Sequence, residues 1–117
     1  MMNYETMSDF EINKCVAEYA GMELSSDHSG AYVGVVRRSI GSRPNYGHVN
    51  YCNNPSDAWP IIFSSRIMLN PYCADELWKA EVPCGFDGFV KAYATCYHRN
   101  PLRAAMIVFL MMHGEAK

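Results

Sequence analysis

The sequence is short of most features that declare a function at once. Its longest wholly apolar run, Ala104 to Met112, is nine residues, about half the ~20 that a bilayer-spanning helix requires, which argues against a membrane partner. There is no excess of basic residues. Ten Lys and Arg against twelve Asp and Glu give a net charge of −2, so the chain as a whole lacks the electrostatic footprint of a nucleic-acid binder. The five cysteines, Cys15, Cys52, Cys73, Cys84 and Cys96, form no Cys-x-x-Cys pair, which leaves zinc and thioredoxin-like redox chemistry without support. Free cysteine then reads as a small buried hydrophobe. A glycine-rich phosphate loop, a Gly-x-Ser-x-Gly elbow and a His-Glu-x-x-His pair are all missing, so neither metal nor cofactor is expected. No repeat, linker or low-complexity segment divides the sequence, and residues 1–117 read as one domain. The first residues, MMNYETMSDFE, carry acids before any apolar run, unlike a secretory signal, and point to the cytoplasm.

What is present begins with the C-terminal segment. Asn100 suits a helix N-cap, Pro101 the first helical position and Gly114 the residue just past the end. Between them Ala104–Met112 has no polar side chain, so this helix has no wet face and must be buried by its own fold, a second subunit, or both. Near the other end, Ser8-Asp9-Phe10-Glu11 is a capping box with Met7 and Ile12 as staple. It opens a helix from about Asp9 to Ala20 that puts Ile12, Cys15, Val16 and Tyr19 on one face and Asp9, Glu11 and Glu18 in solvent.

The remaining elements follow from local pattern. Tyr32 to Val36 is β-branched and strand-like, followed by the basic pair Arg37-Arg38, a solvated edge or half of an anion site. Gly41 to Asn54 is an irregular stretch of Gly, Asn and Tyr with Arg43 and His48 in it, a binding-loop composition, with one short strand at His48–Cys52. Pro60 is tolerated in a first helical turn, which places a cap at Asp57 and a helix to about Ser65. Arg66–Asn70 reads as a strand ended by Pro71. Leu77–Val82 and Phe89–Tyr97 read as a hairpin around a Pro83–Gly88 loop. In the latter strand Val90, Ala92, Ala94 and Cys96 form a small-residue face on which a helix can lie. The predicted fold is α+β: a small single domain with an antiparallel sheet packed against about three helices, the last fully apolar.

Three of these stretches, MSDFEINKCVAE (Met7–Glu18), YCNNPSDAWPII (Tyr51–Ile62) and NPLRAAMIVFLMM (Asn100–Met112), together resemble the NinX-like proteins of tailed phages and prophages. The resemblance runs from about Tyr4 to His113. It implies a small phage accessory protein in the bacterial cytoplasm, and brings with it no activity and no catalytic residue.

The residues themselves suggest where a ligand would bind. Asn54-Pro55 and Asn100-Pro101 are both helix starts, whose unpaired N–H groups favour anions. His98, Arg99 and Arg103 crowd the second start, where acids are normally preferred; either a bound phosphate or carboxylate compensates, or Arg103 pairs with an acid such as Asp57 or Asp75. Trp59 and Trp78 are core fillers or stacking faces for a base. Asn53, Asn54 and Asp57 suit ribose hydroxyls, and Tyr51 belongs to the same segment. The expectation is a homo-oligomer without catalytic turnover. It would hold a small phosphate-bearing nucleotide derivative between Asn53–Trp59 and His98–Arg103. In a phage accessory protein that ligand would be a signal of host defence, cyclic or ADP-ribose-derived. The alternatives are a protein-interaction module covering a host or phage partner and, third, an enzyme that degrades the same signals.

Overall fold

The structure, a computed structural model, describes residues 4–37, 45–72, 76–86 and 89–114. Helix α1 spans Asp9–Tyr19. Its capping box forms as predicted: Ser8 Oγ accepts the Glu11 N–H at 3.1 Å, and Glu11 Oε1 accepts the Ser8 N–H at 3.0 Å. The buried face is rotated from the predicted one. Ile12, Asn13, Val16 and Ala17 are buried, whereas Tyr19 is exposed and Cys15 only half-buried. A hydrophobicity pattern cannot place Asn13 inside, because what admits it is a full set of hydrogen-bond partners supplied by distant residues.

Strands β1 (Glu23–Leu24), β2 (Val33–Arg37) and β3 (Asn45–Val49) form one antiparallel sheet in that order. The third strand lies earlier than the predicted His48–Cys52. The chain turns at Asn50 instead, whose carbonyl accepts the N–H groups of Asn53 and Asn54 at 3.1 and 2.8 Å. Arg38 and Arg43 lie outside the described residues. Between β1 and β2 the loop folds back over the sheet. Gly34 accepts the Ser25 N–H at 2.9 Å and donates its own N–H to His28 Nδ1 at 3.0 Å.

Helix α2 spans Pro55–Ser65 and is capped by Asn54, not Asp57. Asn54 Oδ1 accepts the Ser56 N–H at 3.0 Å, and Pro55 takes the first helical position. Pro60 therefore sits inside the helix. Its ring deprives the Ser56 carbonyl of one partner, a loss that water can make good because both residues are exposed. Arg66, in the left-handed conformation (φ 56°, ψ 42°), ends the helix.

A second antiparallel sheet comprises β4 (Met68–Tyr72), β5 (Leu77–Phe86) and β6 (Phe89–His98), in that order. Pro71 does not end its strand as predicted. It lies within β4, an edge strand, where a missing N–H is tolerated. The β5–β6 hairpin is longer than predicted, because pairing continues from Pro83 to Phe86 past a bulge between Val82 and Pro83. Asp75, Asp87 and Gly88 lie outside the described residues. The predicted sheet is thus two three-stranded sheets around one core.

Helix α3, Pro101–Gly114, is the centre of that core. Ala104 to Leu110 are all buried, none above 5% exposed. The second sheet offers it Ala80 and Val82 from β5 and, from the small face anticipated on β6, Ala94 and Cys96 (the side chains of Val90 and Ala92 lie outside what the structure describes), while α1 and α2 cover its other sides. A single chain therefore covers this part of the helix unaided. Met111 and Met112 are half-buried, and Gly114 is the last helical residue rather than the cap beyond it.

The fold-back over β2 leaves no room for a side chain at position 34. A Cβ there would lie 2.3 Å from both the Asp27 carbonyl oxygen and Ser25 Oγ, whereas a Cβ on Gly47 across the same strand pair meets nothing within 4 Å. Gly34→Ala is expected to cost about 1–3 kcal/mol in urea denaturation as backbone is forced to shift, and Gly47→Ala close to nothing. Equal effects would contradict the packing described.

Candidate functional site

The Asn-rich segment and the head of α3 do come together, as a closed polar network. Asn100 caps α3: its Oδ1 accepts the N–H groups of Leu102 and Arg103 at 3.0 and 3.3 Å. Its Nδ2 donates to the Cys52 carbonyl at 2.7 Å and to Asn53 Oδ1 at 3.2 Å. Asn53 in turn donates to Asp9 Oδ2 at 3.1 Å and to Asn50 Oδ1 at 3.0 Å. Asn13, fully buried, donates to Asn50 Oδ1 and to the Ala31 carbonyl, both at 2.8 Å, and accepts the Cys52 N–H at 2.9 Å. No buried side-chain polar atom among the described residues lacks a partner.

Arg103 anchors this network and is itself buried. Its guanidinium pairs with Asp9 and donates to the carbonyls of Met7 at 2.6 Å and Tyr4 at 3.3 Å. The anion required at the positive end of α3 is thus a carboxylate of the same chain. That acid is Asp9, predicted to face solvent, rather than Asp57; Asp75 lies outside the described residues. The fork of a guanidinium suits three acceptors converging from one side, which a lysine ammonium would not match.

The other sequence candidates are dispersed. His98 Nδ1 accepts the Asn100 N–H at 2.9 Å, and Arg99 beside it is exposed. Trp78 is half-buried in β5, opposite His98 in register. Trp59 is 60% exposed on α2, its ring 6.1 Å from that of Phe63, which is 72% exposed. Tyr51 and Asp57 go elsewhere, into a groove.

That groove, about 840 Å³, is bounded by the end of α1, one side of α2 and the first sheet. Its apolar lining comes from Val36, Val49, Ile61 and Phe109, with Tyr19, Tyr51 and Pro60 adding flat faces. Ser56, Ser64 and Ser65 supply hydroxyls, and Asp57 is the one charged side chain among the described residues lining it. Asp57 Oδ2 accepts the Asn50 N–H at 2.9 Å, which holds the carboxylate at the wall. A mostly apolar hollow with a few fixed polar groups, of a few hundred to ~1,000 Å³, is the usual form of a small-molecule site. Sequence reading missed Tyr19, Pro60, Ser64 and Phe109 because they converge only in the fold. The spacing of Ser56, Pro60 and Ser64, four apart on one helical face, was the available signal.

Cys52 and Cys15 are not poised as nucleophiles. Burial, with Asp9 adding to it against Arg103, pushes the Cys52 thiol up to about 12. Cys15 is also raised, first by burial and then by Glu18 and Glu11. Cys73 and the side chain of Cys84 lie outside what the structure describes. Among the described residues no group of three or more His, Cys, Asp or Glu could hold a metal, and no helix is long and apolar enough to cross a membrane.

Comparison with known proteins gives one family, described as bacteriophage P22, NinX, which matches residues 3–113. No match was found among curated proteins.

Two predictions follow from the network. Arg103→Met leaves Asp9 and the Tyr4 and Met7 carbonyls without their shared donor and is expected to cost about 1–3 kcal/mol in urea denaturation; no measurable loss would show that the clasp does not bear on stability. Cys52 keeps its proton to about 12 when folded, against an ordinary value of 9.0. Its contribution is therefore complete below pH 9 and is lost as pH rises from 9 towards 12, with a limiting slope of about 1.4 kcal/mol per pH unit. In stability–pH curves Cys52→Ala should flatten that alkaline limb. An unchanged limb would contradict the assignment.

Proposed function

Because this chain belongs to the bacteriophage P22 NinX family, we propose that it is a phage accessory protein that sequesters a small nucleotide-derived signal of host antiphage defence, cyclic or ADP-ribose-derived. It acts in the bacterial cytoplasm as a non-catalytic sponge. The observation that carries this reading is the groove. It has the volume of a small-molecule site, flat walls from Tyr19 and Pro60, and hydroxyls from three serines along α2. Sequestration without turnover fits a sequence that offers no catalytic motif. The groove floor is rigid core, since Val49, Tyr51 and Phe109 are each at most 5% exposed. A preformed floor lowers the ordering cost of binding and favours slow release.

The homo-oligomer belongs to the same proposal. Copies would meet on α2, where Trp59 and Phe63 are left exposed, rather than on α3, whose central turns are already covered. That pair of rings also favours the second reading, a module that binds a host or phage protein. Size-exclusion chromatography separates them: a discrete oligomer supports self-association, and a monomer that retains a foreign protein supports the module.

Purified protein mixed with cyclic dinucleotides and cyclic ADP-ribose isomers, then filtered, should deplete at least one ligand from the filtrate at micromolar protein. Heating should return that ligand unchanged. No depletion would end the sponge reading, and recovery of a converted product would replace it with the enzyme.

A further inference from the structure

We infer that the groove receives the nucleoside end of its ligand and excludes a phosphate chain, with Asp57 as the group that decides. This rests on the sequestration reading. The argument begins with the carboxylate. Asp57 Oδ2 is fixed by the Asn50 N–H at 2.9 Å, while Oδ1 accepts no hydrogen bond from the described residues. Asp57 is half-buried in the first turn of α2, and it lines the groove. One oxygen is spent on holding the group still, and the other is offered to whatever enters.

Among the described residues, the lining around it contains no cation to meet an anion. A phosphate drawn in would face a fixed carboxylate across a partly apolar hollow, where the repulsion between two like charges is poorly screened. A nucleobase presents the complementary chemistry: a flat ring to lie against Tyr19 or Pro60, and exocyclic amino or ring N–H groups to donate to Oδ1. Ribose hydroxyls, each both donor and acceptor, match Ser56 and Ser64 along the same helix. Phosphates of a bound nucleotide then remain at the mouth. The clasp at the head of α3, with Arg103 committed to Asp9, Met7 and Tyr4, plays no part in holding them.

Calorimetric titration of the full chain with adenosine, guanosine, cytidine and uridine, and with their 5′-triphosphates, tests this. At least one nucleoside should bind one site per chain, with its triphosphate no tighter. Asp57→Asn should weaken that nucleoside tenfold or more and narrow its advantage over the triphosphate, with the helical circular dichroism unchanged. Should that variant unfold, Ser64→Trp fills the groove from an exposed position and should abolish nucleoside binding in a folded protein. Tighter binding of the triphosphate, no nucleoside binding, or full affinity in folded Ser64→Trp would each overturn the inference. If Ser64→Trp still depletes defence signals, the groove assignment falls and sequestration stands. If nucleosides bind the groove but no signal is depleted, sequestration falls and the groove assignment stands.

Discussion

A helix with no polar side chain from Ala104 to Met112 has no face to give to water, and the architecture answers that constraint. Burying each large apolar side chain contributes about 1.5–3 kcal/mol relative to leaving it exposed, so a half-covered α3 would forfeit much of the stability available to a domain of this size. The second sheet meets it with small residues, which let the backbone come close, and α1 and α2 close the remaining sides. What cannot be made apolar is the start of the helix, where N–H groups are unpaired. There Asn100 supplies the cap and Arg103 ties the first residues of the chain to the last element, through Asp9 and the carbonyls of Met7 and Tyr4. Core and clasp are two halves of one solution: the apolar length needs covering, and its polar end needs satisfying.

The elements specified locally were legible in the sequence. The box at Ser8–Glu11, the cap at Asn100 and the alternation in β6 each depend on residues within a few positions of one another, and each formed as read. The errors arose where a distant partner decides. Asp9 looked solvated because Arg103 lies 94 residues away. Asn13 has no place in the apolar pattern, and only the distant Asn50, Cys52 and Ala31, which satisfy its amide, bring it inside. Pro60 and Pro71 were taken as boundaries because a proline breaks a ladder, yet an exposed helix face and a sheet edge both tolerate the missing donor. The candidate site divides in the same way. Tyr51 and Asp57 reach the groove, but their company there, Tyr19 from α1 and Phe109 from α3, is brought together only by tertiary packing.

Network and groove show that composition does not identify a binding site by itself. Asn53, Asn100 and Arg103 are the residue types a nucleotide site uses, and here they are spent on one another and on the backbone. A group with all its hydrogen bonds made inside the protein gains little by exchanging them for a ligand's. The groove is poorer in such residues, but its polar groups surround an open space, and one carboxylate oxygen is left over. Availability, rather than abundance, is the ground for proposing that a ligand binds on the α2 side of the molecule.

The most direct test of sequestration uses no chosen ligand. Protein purified gently from phage-infected cells is heat-denatured, and the small molecules released are identified by mass spectrometry. The account predicts an intact nucleoside-containing compound in an amount comparable to the protein. Its absence, or release of no compound beyond those carried by an unrelated protein purified alongside, would contradict it.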